Sequence, residues 1–589
     1  MKIRLARLLQ QPDPPAVKWS GSWRATGVLA LFAAFFFGLN VYSYTRTSAT
    51  YDEPINLTSG YVMLKYHDFR FSPDHVPFLR MWAALPLAFS PRLSFDTNVL
   101  QNVDLTGWVL QRHLAVAEHD FLYRLNDADR LLYSARFMMT LLGVLLGILV
   151  FSWARELFGF GPAVVALCLY TLEPNTLAHS CLITADSGLG CFVFGAAYFL
   201  WRTARCLSPG NLSGLSLFTA LALASKFWGL LLLLIIPLCL LIRVADPTPW
   251  PCRIRGVRDL VSPVVKIQAA LIVFLVVLAL GCFGIWSAYA FHYRPAPAPA
   301  DTFHFDQTDY VLKRAPQLAG LIRRLDRTRL LPNAYTQGFL YGCATLRDRK
   351  CYLNGNIKRG GCWYYFPEAF LIKTPVTLLL LLVAGTALWW VRWRTSWRDA
   401  VFLFLPPSIF FAVVMWGSIN IGLRYVLLVY PFVALIATRV IVECLKSRRL
   451  SWAAPAAVLL AATELSLVYP HCLSCFNCLA GGPDRGYYYL VDSNLDWGQD
   501  LKGLKPWMDR HGIDHINLSY FGSADPAYYH INQTCLLDPP YAEGLAQPAR
   551  LPGYVAMSAT CLVTCPPLLQ QKPVAVIGHS IYIFWVDDK

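Results

Sequence analysis

The chain has 589 residues, of which 56% are hydrophobic and 15% are charged, and its mean hydropathy is +0.43. Soluble domains carry about 25% charged residues, so this composition excludes a soluble globular protein. The net charge of +15 does not indicate a nucleic-acid partner. Its basic residues cluster at the ends of apolar runs and in one long loop, and no nucleic-acid motif accompanies them. The composition predicts a polytopic α-helical membrane protein.

Apolar runs long enough to cross a hydrocarbon core recur along the chain. Residues 212–243 are divided at Ser225-Lys226-Phe227, because a single helix there would be about 48 Å long in a core of about 30 Å. About eleven transmembrane helices are predicted, at 27–45, 131–151, 163–178, 187–201, 212–225, 227–243, 267–291, 370–391, 401–416, 423–443 and 452–469.

Lysine and arginine in the short loops give the orientation. The basic N-terminal stretch 1–26 has no small-residue cleavage site after the first span, so we expect that span to be retained and the N-terminus to be cytoplasmic. The Arg-containing loops near 155, 202–205, 243–258 and 392–398 then fall on the inner side, as do Lys446 and its neighbours. The C-terminus is extracytoplasmic, and a bacterial inner membrane is the expected location.

Three large segments lie outside on this topology. The segment 46–130 has Trp108, Leu110, Leu114 and Phe121 at helical spacing, which predicts amphipathic helices along the membrane surface. This segment and the second outer segment, 292–369, belong to a membrane module predicted at residues 1–470. Residues 471–589 are predicted to form a small α/β domain, with a helix at Asp500–His511 and strands at Tyr488–Val491, Ile516–Tyr520, Tyr554–Met557 and Ile581–Trp585.

Nine of the 17 cysteines lie in these outer segments, where an oxidising compartment permits disulfides. Cys472-x2-Cys475-x2-Cys478 has the spacing of a metal knuckle, but no second CxxC follows, which favours packing or disulfides over zinc. The connectivity cannot be read from the sequence. The outer cysteines are Cys343, Cys351, Cys362, Cys472, Cys475, Cys478, Cys535, Cys561 and Cys565.

The candidate site is centred on Asp52-Glu53, an acidic pair directly after the first span. Alone, such a pair is usually an ordinary solvated loop. Arg136, Lys226 and Arg424 return to the same outer face, and each alone could reach lipid headgroups, just as Asp186 could cap a helix. Charges among apolar spans are costly, so their recurrence on one face favours a functional site.

The acidic pair and the segment Phe71-Ser72-Pro73-Asp74-His75-Val76-Pro77-Phe78-Leu79 resemble the first outer loop of polyprenyl-phosphate-dependent GT-C glycosyltransferases. That family includes protein O-mannosyltransferases and aminoarabinose transferases. His75-Val76-Pro77 departs from the HPP often found in relatives. The likeness covers nearly the whole chain, and its other motifs are Gly60-Tyr61, Pro174-Asn175, Thr184-Ala185-Asp186, Lys226, Leu423-Arg424-Tyr425 and, similar to one bacterial branch, Leu490–Leu501.

The resemblance implies transfer of a sugar from a polyprenyl phosphate to an acceptor hydroxyl on a protein, lipid or glycan, with inversion. Asp52 is the expected base and Glu53 its orienting partner. Arg136, Lys226 and Arg424 are expected to bind the donor phosphate, and His75, Asp186 and Tyr425 are candidate substrate-binding residues. No cofactor is implied and no metal site is predicted, although Asp52, Glu53 and His75 could ligate a divalent ion.

Two other classes of protein remain open at this stage. A transporter or flippase of lipid-linked glycans would also place charges among its spans, but the sequence shows no two halves with matched interrupted helices. An assembly scaffold would act through the C-terminal domain. Large outer segments and few inner ones favour an enzyme that works on the outer face.

Overall fold

The computed structural model describes residues 23–101, 115–297, 302–345, 350–536 and 552–587. The predicted positions Trp108, Leu110 and Leu114 lie outside these ranges. Phe121 is described, and it is buried in a π-helix, Asp120–Arg124, that continues from helical residues 115–119.

The first half is built almost entirely from helices. In chain order they are α1 Trp23–Tyr44, α2 Glu53–Tyr66, α3 Phe78–Ala88, α4 Ala128–Phe158, α5 Phe160–Thr171, α6 Pro174–Ser180, α7 Ala185–Arg205, α8 Pro209–Leu223, α9 Leu232–Ala245 and α10 Pro263–Ala288.

The second half adds helices and two small sheets. The helices are α11 Asp309–Arg314, α12 Pro316–Thr328, α13 Asn333–Thr345, α14 Tyr365–Lys373, α15 Val376–Val391, α16 Trp393–Trp416, α17 Tyr430–Leu445, α18 Ala453–Ser466, α19 Leu501–Arg510, α20 Ala559–Leu562 and α21 Pro566–Leu569. The strands are β1 Lys350–Leu353, β2 Asn356–Arg359, β3 Ile516–Ser519, β4 Gln533–Cys535, β5 Gly553–Ser558, β6 Ala575–Ile577 and β7 Ile581–Val586.

Six helices among the described residues are long and apolar enough to cross a membrane, or eight if each of two bent pairs is one span. The bent pairs are α6 with α7 and α14 with α15, at 110° and 115°. These helices support a multi-pass integral membrane protein, but the predicted count of eleven is not reached by length and composition. At three of the predicted positions α5, α8 and α18 have only 12, 15 and 14 residues. A 15-residue helix is about 22 Å long, short of a core of about 30 Å.

Local sequence explains where the central helices begin and end. The Asp127 side chain caps α4 by accepting the N–H of Arg130 at 3.1 Å, and Gly159, at φ +90°, ends it. The predicted division at Ser225-Lys226-Phe227 is confirmed. The backbone is extended at Lys226 (φ −158°), between α8 and a 3₁₀-helix at Phe227–Leu231.

The larger sheet lies in the C-terminal region and has the strand order β4-β3-β5-β7-β6. β3 runs parallel to both β4 and β5, and β7 is antiparallel to both β5 and β6. The helix predicted at Asp500–His511 and three of the four predicted strands occur within a residue or two of their predicted bounds. The strand predicted at Tyr488–Val491 is wrong. That stretch follows a 3₁₀-helix at Pro483–Tyr488, where Pro483 fixes the first turn.

The helix ends form two polar layers. The site end contains Glu53, Arg136 and Asp186. The opposite layer, called the basic end, joins the loops predicted to be inside. There Arg398 Nε lies 2.7 Å from Asp246 Oδ2. One hydrophobic core connects the spans to the C-terminal sheet, from Ala25 in α1 to Val586 in β7.

Candidate active site

The loop after α1 turns two adjacent acidic side chains into different environments. Asp52 is the N-cap residue of α2, Glu53 is its first residue, and Pro54 suits the first helical turn. Thr50 donates its N–H and its hydroxyl to Glu53 Oε2, at 2.8 and 3.0 Å, which holds Glu53 inward. Glu53 is fully buried, whereas the Asp52 side chain is 30% exposed. Of the pair, Asp52 is therefore the carboxylate that a substrate can reach.

Glu53 forms a buried ion pair with Arg136 of α4. Arg136 Nε lies 2.9 Å from Glu53 Oε1 and Arg136 Nη2 lies 2.5 Å from Oε2, with neither side chain exposed. Glu53 Oε1 also accepts the backbone N–H of Ile183 at 3.2 Å. Because a charge left alone in a protein interior is strongly destabilising, this pair holds α2, α4 and the start of α7 together.

The remaining Arg136 donors are used by the loop backbone. Nη1 donates to the carbonyls of Tyr44 and Thr47 at 2.9 and 3.3 Å, and Nη2 donates to the carbonyl of Ser48 at 2.8 Å. The sequence assigns Arg136 to the donor phosphate and Glu53 to catalysis. The structure places both inside the protein, where their contacts fix the loop that carries Asp52.

Asp52, Arg424, Asp186 and Lys226 form a row of alternating charges. Arg424 Nη1 lies 2.7 Å from Asp52 Oδ2 and 3.8 Å from Asp186 Oδ2. Lys226 Nζ lies 2.6 Å from Asp186 Oδ1. The structure thus brings together four predicted residues that are distant in sequence. Arg424 Nε is also buried and has no hydrogen-bond partner within the described ranges.

Tyr425 and Trp497 pack against the two cations. Lys226 Nζ lies 4.6 Å from the centroid of the Tyr425 ring, and the Arg424 guanidinium carbon lies 5.3 Å from that ring and 4.3 Å from Trp497. Such cation–π contacts contribute about 0.5–2 kcal/mol each. Tyr425, a predicted substrate-binding residue, therefore lies against the charge row. Trp497 lies within the Leu490–Leu501 motif, and the sequence alone predicts no role for it.

His75 lies apart from the charge row, in a cleft beside it. This cleft has a free volume of about 10 Å³, room for about one water molecule, and is lined in part by Asn56, His75, Arg80 and Thr184. Arg80 Nε donates to Asn56 Oδ1 at 2.9 Å, and His75 Nδ1 lies 3.2 Å from Asp74 Oδ1. Although burial alone raises it, the adjacent His75 and the charge of Arg80 hold the pKa of Asp74 below its usual range.

Glu118 is a carboxyl group near Asp52 that the sequence analysis misses. It lies on the helical residues 115–119 of the first outer segment and is partly buried. Burial, and next the charge of Asp52, raise the pKa of Glu118 to about 8. At neutral pH it is therefore mostly protonated, so Asp52 does not face a second full negative charge. No motif marks Glu118, because only the fold brings it near Asp52.

No group of three or more His, Cys, Asp or Glu side chains within the described ranges is arranged to hold a metal ion. Of the three side chains that could ligate one, Glu53 is committed to Arg136 and His75 lies beside Asp74. Independence from a metal remains a prediction.

Residues 128–282 match the family described as dolichyl-phosphate-mannose-protein mannosyltransferase. The matched stretch contains Arg136, Asp186 and Lys226 and spans less than half of the chain. It confirms the resemblance to GT-C glycosyltransferases predicted from the sequence and does not favour a transporter. A search of curated proteins finds no match.

Solved structures of three such enzymes are also similar. ArnT from Cupriavidus metallidurans in the apo state has 12% identity and a TM-score of 0.42, with 95% of this chain and 98% of that chain covered. The protein O-mannosyltransferase Pmt1-Pmt2 complex of S. cerevisiae, bound to the sugar donor, has 15% identity and a TM-score of 0.33, with 52% and 38% covered. The oligosaccharyltransferase AglB from Archaeoglobus fulgidus, in complex with an inhibitory peptide and a dolichol-phosphate, has 12% identity and a TM-score of 0.43, with 92% and 70% covered.

Proposed function

We propose that the chain is a membrane glycosyltransferase that moves a sugar from a polyprenyl-phosphate donor to an acceptor hydroxyl. One observation carries the proposal: a partly exposed carboxylate, Asp52, lies beside the cation Arg424, which Asp186 links to a second cation, Lys226. A base next to a cationic anion site is the arrangement that this transfer needs. The family match over residues 128–282 supports the same reaction class.

Asp52 acts as the general base in this mechanism. Its carboxylate takes the proton of the acceptor hydroxyl as the oxygen forms a bond to the anomeric carbon. The bond between that carbon and the phosphate oxygen breaks, and the leaving polyprenyl phosphate keeps the electron pair. Attack from the side opposite the leaving group inverts the anomeric centre. A positioned general base contributes about 10²–10⁴-fold to the rate.

Arg424 and Lys226 stabilise the charge on the leaving phosphate. Without donor they are paired with Asp52 and Asp186, so the row is close to neutral. A bound phosphate competes for the two cations and releases Asp52 from Arg424, which frees the base. Tyr425 and Trp497 limit the mobility of both cations and exclude water, and low local polarity strengthens the electrostatic contacts.

Glu53 and Arg136 are positioning residues in this proposal. Their buried pair fixes the loop on which Asp52 stands. His75 borders the cleft beside the row and Asp186 contacts Lys226, so both are candidate substrate-binding residues next to the proposed phosphate site. The lipid tail would lie between spans. The proposed residues supply both the base and the phosphate charge, so no divalent ion is assigned a step.

The proposal includes eleven passes, with a cytoplasmic N-terminus and the site end on the extracytoplasmic face of a bacterial inner membrane. The loops rich in lysine and arginine support this orientation, since they lie at the basic end. The proposal also includes the division of the chain into a membrane module at 1–470 and a C-terminal α/β domain at 471–589. The acceptor is a protein, a lipid or a glycan.

Reconstitution of the purified protein with a polyprenyl-phosphate sugar and two hydroxyl-bearing acceptors, maltotetraose and a serine-rich peptide, tests the function. A glycosyltransferase releases free polyprenyl phosphate, and the release is lost in Asp52→Asn. A flippase would instead move the intact donor between leaflets without cleaving it. Donor movement without release of polyprenyl phosphate would therefore overturn the proposal.

A further inference from the structure

Two aromatic side chains form a surface next to the proposed base. The rings of Tyr51 and Phe521 stack with centroids 5.2 Å apart and planes inclined by 19°. Tyr51 directly precedes Asp52 and is 44% exposed, while Phe521 is partly buried. This pair, called the aromatic ledge, offers an apolar face at the entrance to the site.

The backbone beneath the aromatic ledge is held firmly. The Tyr51 N–H donates to the Trp497 carbonyl at 2.9 Å, and the Ser523 hydroxyl donates to the Tyr51 carbonyl at 3.0 Å. Gly498, at φ +85°, approaches Gly522 so closely that a Cβ on Gly498 would lie 2.7 Å from the Gly522 Cα. The ledge is thus fixed before a ligand arrives, and this reduces the entropic cost of binding.

Acidic side chains flank the aromatic ledge. His119 Nε2 lies 3.3 Å from Asp525 Oδ2, and His119 Nδ1 lies 3.7 Å from Asp120 Oδ1. Asp525 lies two residues after Ser523, which contacts Tyr51, and Asp52 directly follows Tyr51. Ionised carboxylates only accept hydrogen bonds and repel anions. Arg424 offsets the charge of Asp52, whereas Asp525 contacts His119. A ligand suited to the Asp525 side therefore has hydroxyl donors and no negative charge.

We infer that the aromatic ledge binds the acceptor as a neutral pyranose ring, an inference that rests on the proposed function. A pyranose has an apolar C–H face rimmed by hydroxyl groups. The apolar face matches the ledge, where the negative face of an aromatic ring attracts C–H groups. The hydroxyl rim meets the carboxylates of Asp52 and Asp525. The acceptor class is accordingly a neutral glycan, whereas an anionic lipid headgroup would be repelled.

Saturation-transfer NMR on the full chain in nanodiscs tests this binding. The probes are maltotetraose, the acidic oligosaccharide tetragalacturonate, and a serine-rich peptide. Maltotetraose C–H protons should receive the largest transfer in the wild type. The transfer should fall by about threefold or more in Tyr51→Ala, the loss expected for one stacking contact, and persist in Tyr51→Trp. Tyr488→Ala is the matched control, because Tyr488 is 52% exposed but lies in another segment.

Equal transfer to maltotetraose in Tyr51→Ala and the wild type would overturn the inference, as would stronger transfer to tetragalacturonate or to the peptide. Phe521→Leu replaces Tyr51→Ala in this comparison if the latter does not fold. Release of polyprenyl phosphate by the wild type alone tests the proposed function separately. If the wild type releases no polyprenyl phosphate but still shows larger saturation transfer than Tyr51→Ala, the ledge is a carbohydrate-binding site and the proposed glycosyltransferase function is wrong. With release but no such difference, only the inference fails.

Discussion

Two neighbouring carboxylates at the centre of the site differ in environment more than in chemistry. Asp52 is 30% exposed and faces Arg424, whereas Glu53 is sealed against Arg136. The sequence predicts that an acidic pair stands at this place, because it directly follows an apolar span. It cannot predict which member is accessible, because this depends on contacts with Arg136 and Ile183, far along the chain.

Replacing Asp52 by Asn is expected to lower turnover by about 10²–10⁴-fold, since the amide keeps the size of the side chain but loses its basicity. Donor binding should not weaken, because the base acts in the transition state and the lost charge no longer competes with the phosphate for Arg424. Single-turnover release of polyprenyl phosphate and donor titration measure the two effects. Lost donor binding in the variant would make Asp52 a structural residue.

Replacing Glu53 by Gln is expected to destabilise the fold by about 3–5 kcal/mol, because it leaves the charge of Arg136 buried without a partner. Thermal unfolding in detergent, followed by tryptophan fluorescence, measures the loss. The double variant Glu53→Leu with Arg136→Met should recover much of it, since no lone charge remains. Asp509→Asn removes an exposed pair with Lys505 and serves as the control, with an expected change of about 0–1 kcal/mol. A stable Glu53→Gln protein with little activity would return Glu53 to the catalytic residues.

Replacing Arg424 by Ala is expected to raise the KM for the donor strongly, and Lys should restore only part of the affinity. Lysine keeps the charge but lacks the planar fork that contacts two phosphate oxygens. Donor titrations of turnover compare the two variants with Arg439→Lys, which changes an arginine near Glu443 at the basic end. Wild-type kinetics in Arg424→Ala would remove this residue from the site.

At the scale of elements, sequence patterns locate features that depend on local chemistry. The chain break at Lys226 follows from length alone, because one helix over 212–243 cannot fit the membrane. The strand prediction at Tyr488–Val491 fails because Gly481 and Gly482, both at positive φ, and Pro483 turn the chain into a 3₁₀-helix. The contact between Trp497 and Arg424 has no local signal, since it joins the C-terminal region to a membrane helix.

The segment before α19 contains a buried carboxyl group with a predictable pH response. Asp496 accepts the N–H of Thr560 at 2.9 Å and is fully buried, and this burial raises its pKa to about 7. Between its unfolded value of 3.8 and about 7, the folded state alone retains the proton. The stability from this group is therefore complete below 3.8 and is lost as the pH rises through 7.

Asp496→Asn is expected to remove this contribution, since the amide stays neutral at every pH. The thermal midpoint of the wild type should fall relative to that of the variant as the pH rises from 4 to 8, and calorimetry across that range measures the difference. Asp509→Asn, at a position 58% exposed and paired with Lys505, which keeps its charge over this range, is the control and should run parallel to the wild type. Parallel curves for wild type and Asp496→Asn would contradict the assignment.

Over the whole molecule, the loops rich in lysine and arginine lie at the basic end, and the loop that carries Asp52 lies at the site end. Arg398 and Asp246 join two of the loops predicted to be inside, 392–398 and 243–258, and Arg392 and Glu443, 2.9 Å apart, join the first of these to a third. The loop that carries Asp52 and the C-terminal region lie at the site end, where the Ser43 hydroxyl at the end of α1 donates to the Pro470 carbonyl at 2.8 Å. This separation is the one that the Lys/Arg rule predicts.

The three short helices return the chain to the site end in spite of their length. α4 leaves that end at Arg136, and after α5 the Asn175 side chain donates to the Lys373 carbonyl, which lies at the site end. α8 leads back to Lys226, whose partner is Asp186. α18 leads to Pro470, whose carbonyl accepts from Ser43 at the site end. All three short helices therefore lead toward the site end, as eleven passes would require.

Reporter fusions are expected to reveal this alternation. A periplasmic reporter fused after the last residue should be active, and one fused after Arg398 should be inactive, because an odd number of passes separates the N-terminus from the C-terminal region. A six- or eight-pass chain would place both termini on one side, so the C-terminal fusion distinguishes the even counts from eleven. A fusion after Pro249, in the loop that Arg398 contacts through Asp246, is the matched control and should behave like the fusion after Arg398. A cytoplasmic C-terminus would contradict eleven passes and would also move Asp52 and Lys226 to the inner face, because the C-terminal region contacts the loop that carries Asp52 through the Trp497 carbonyl.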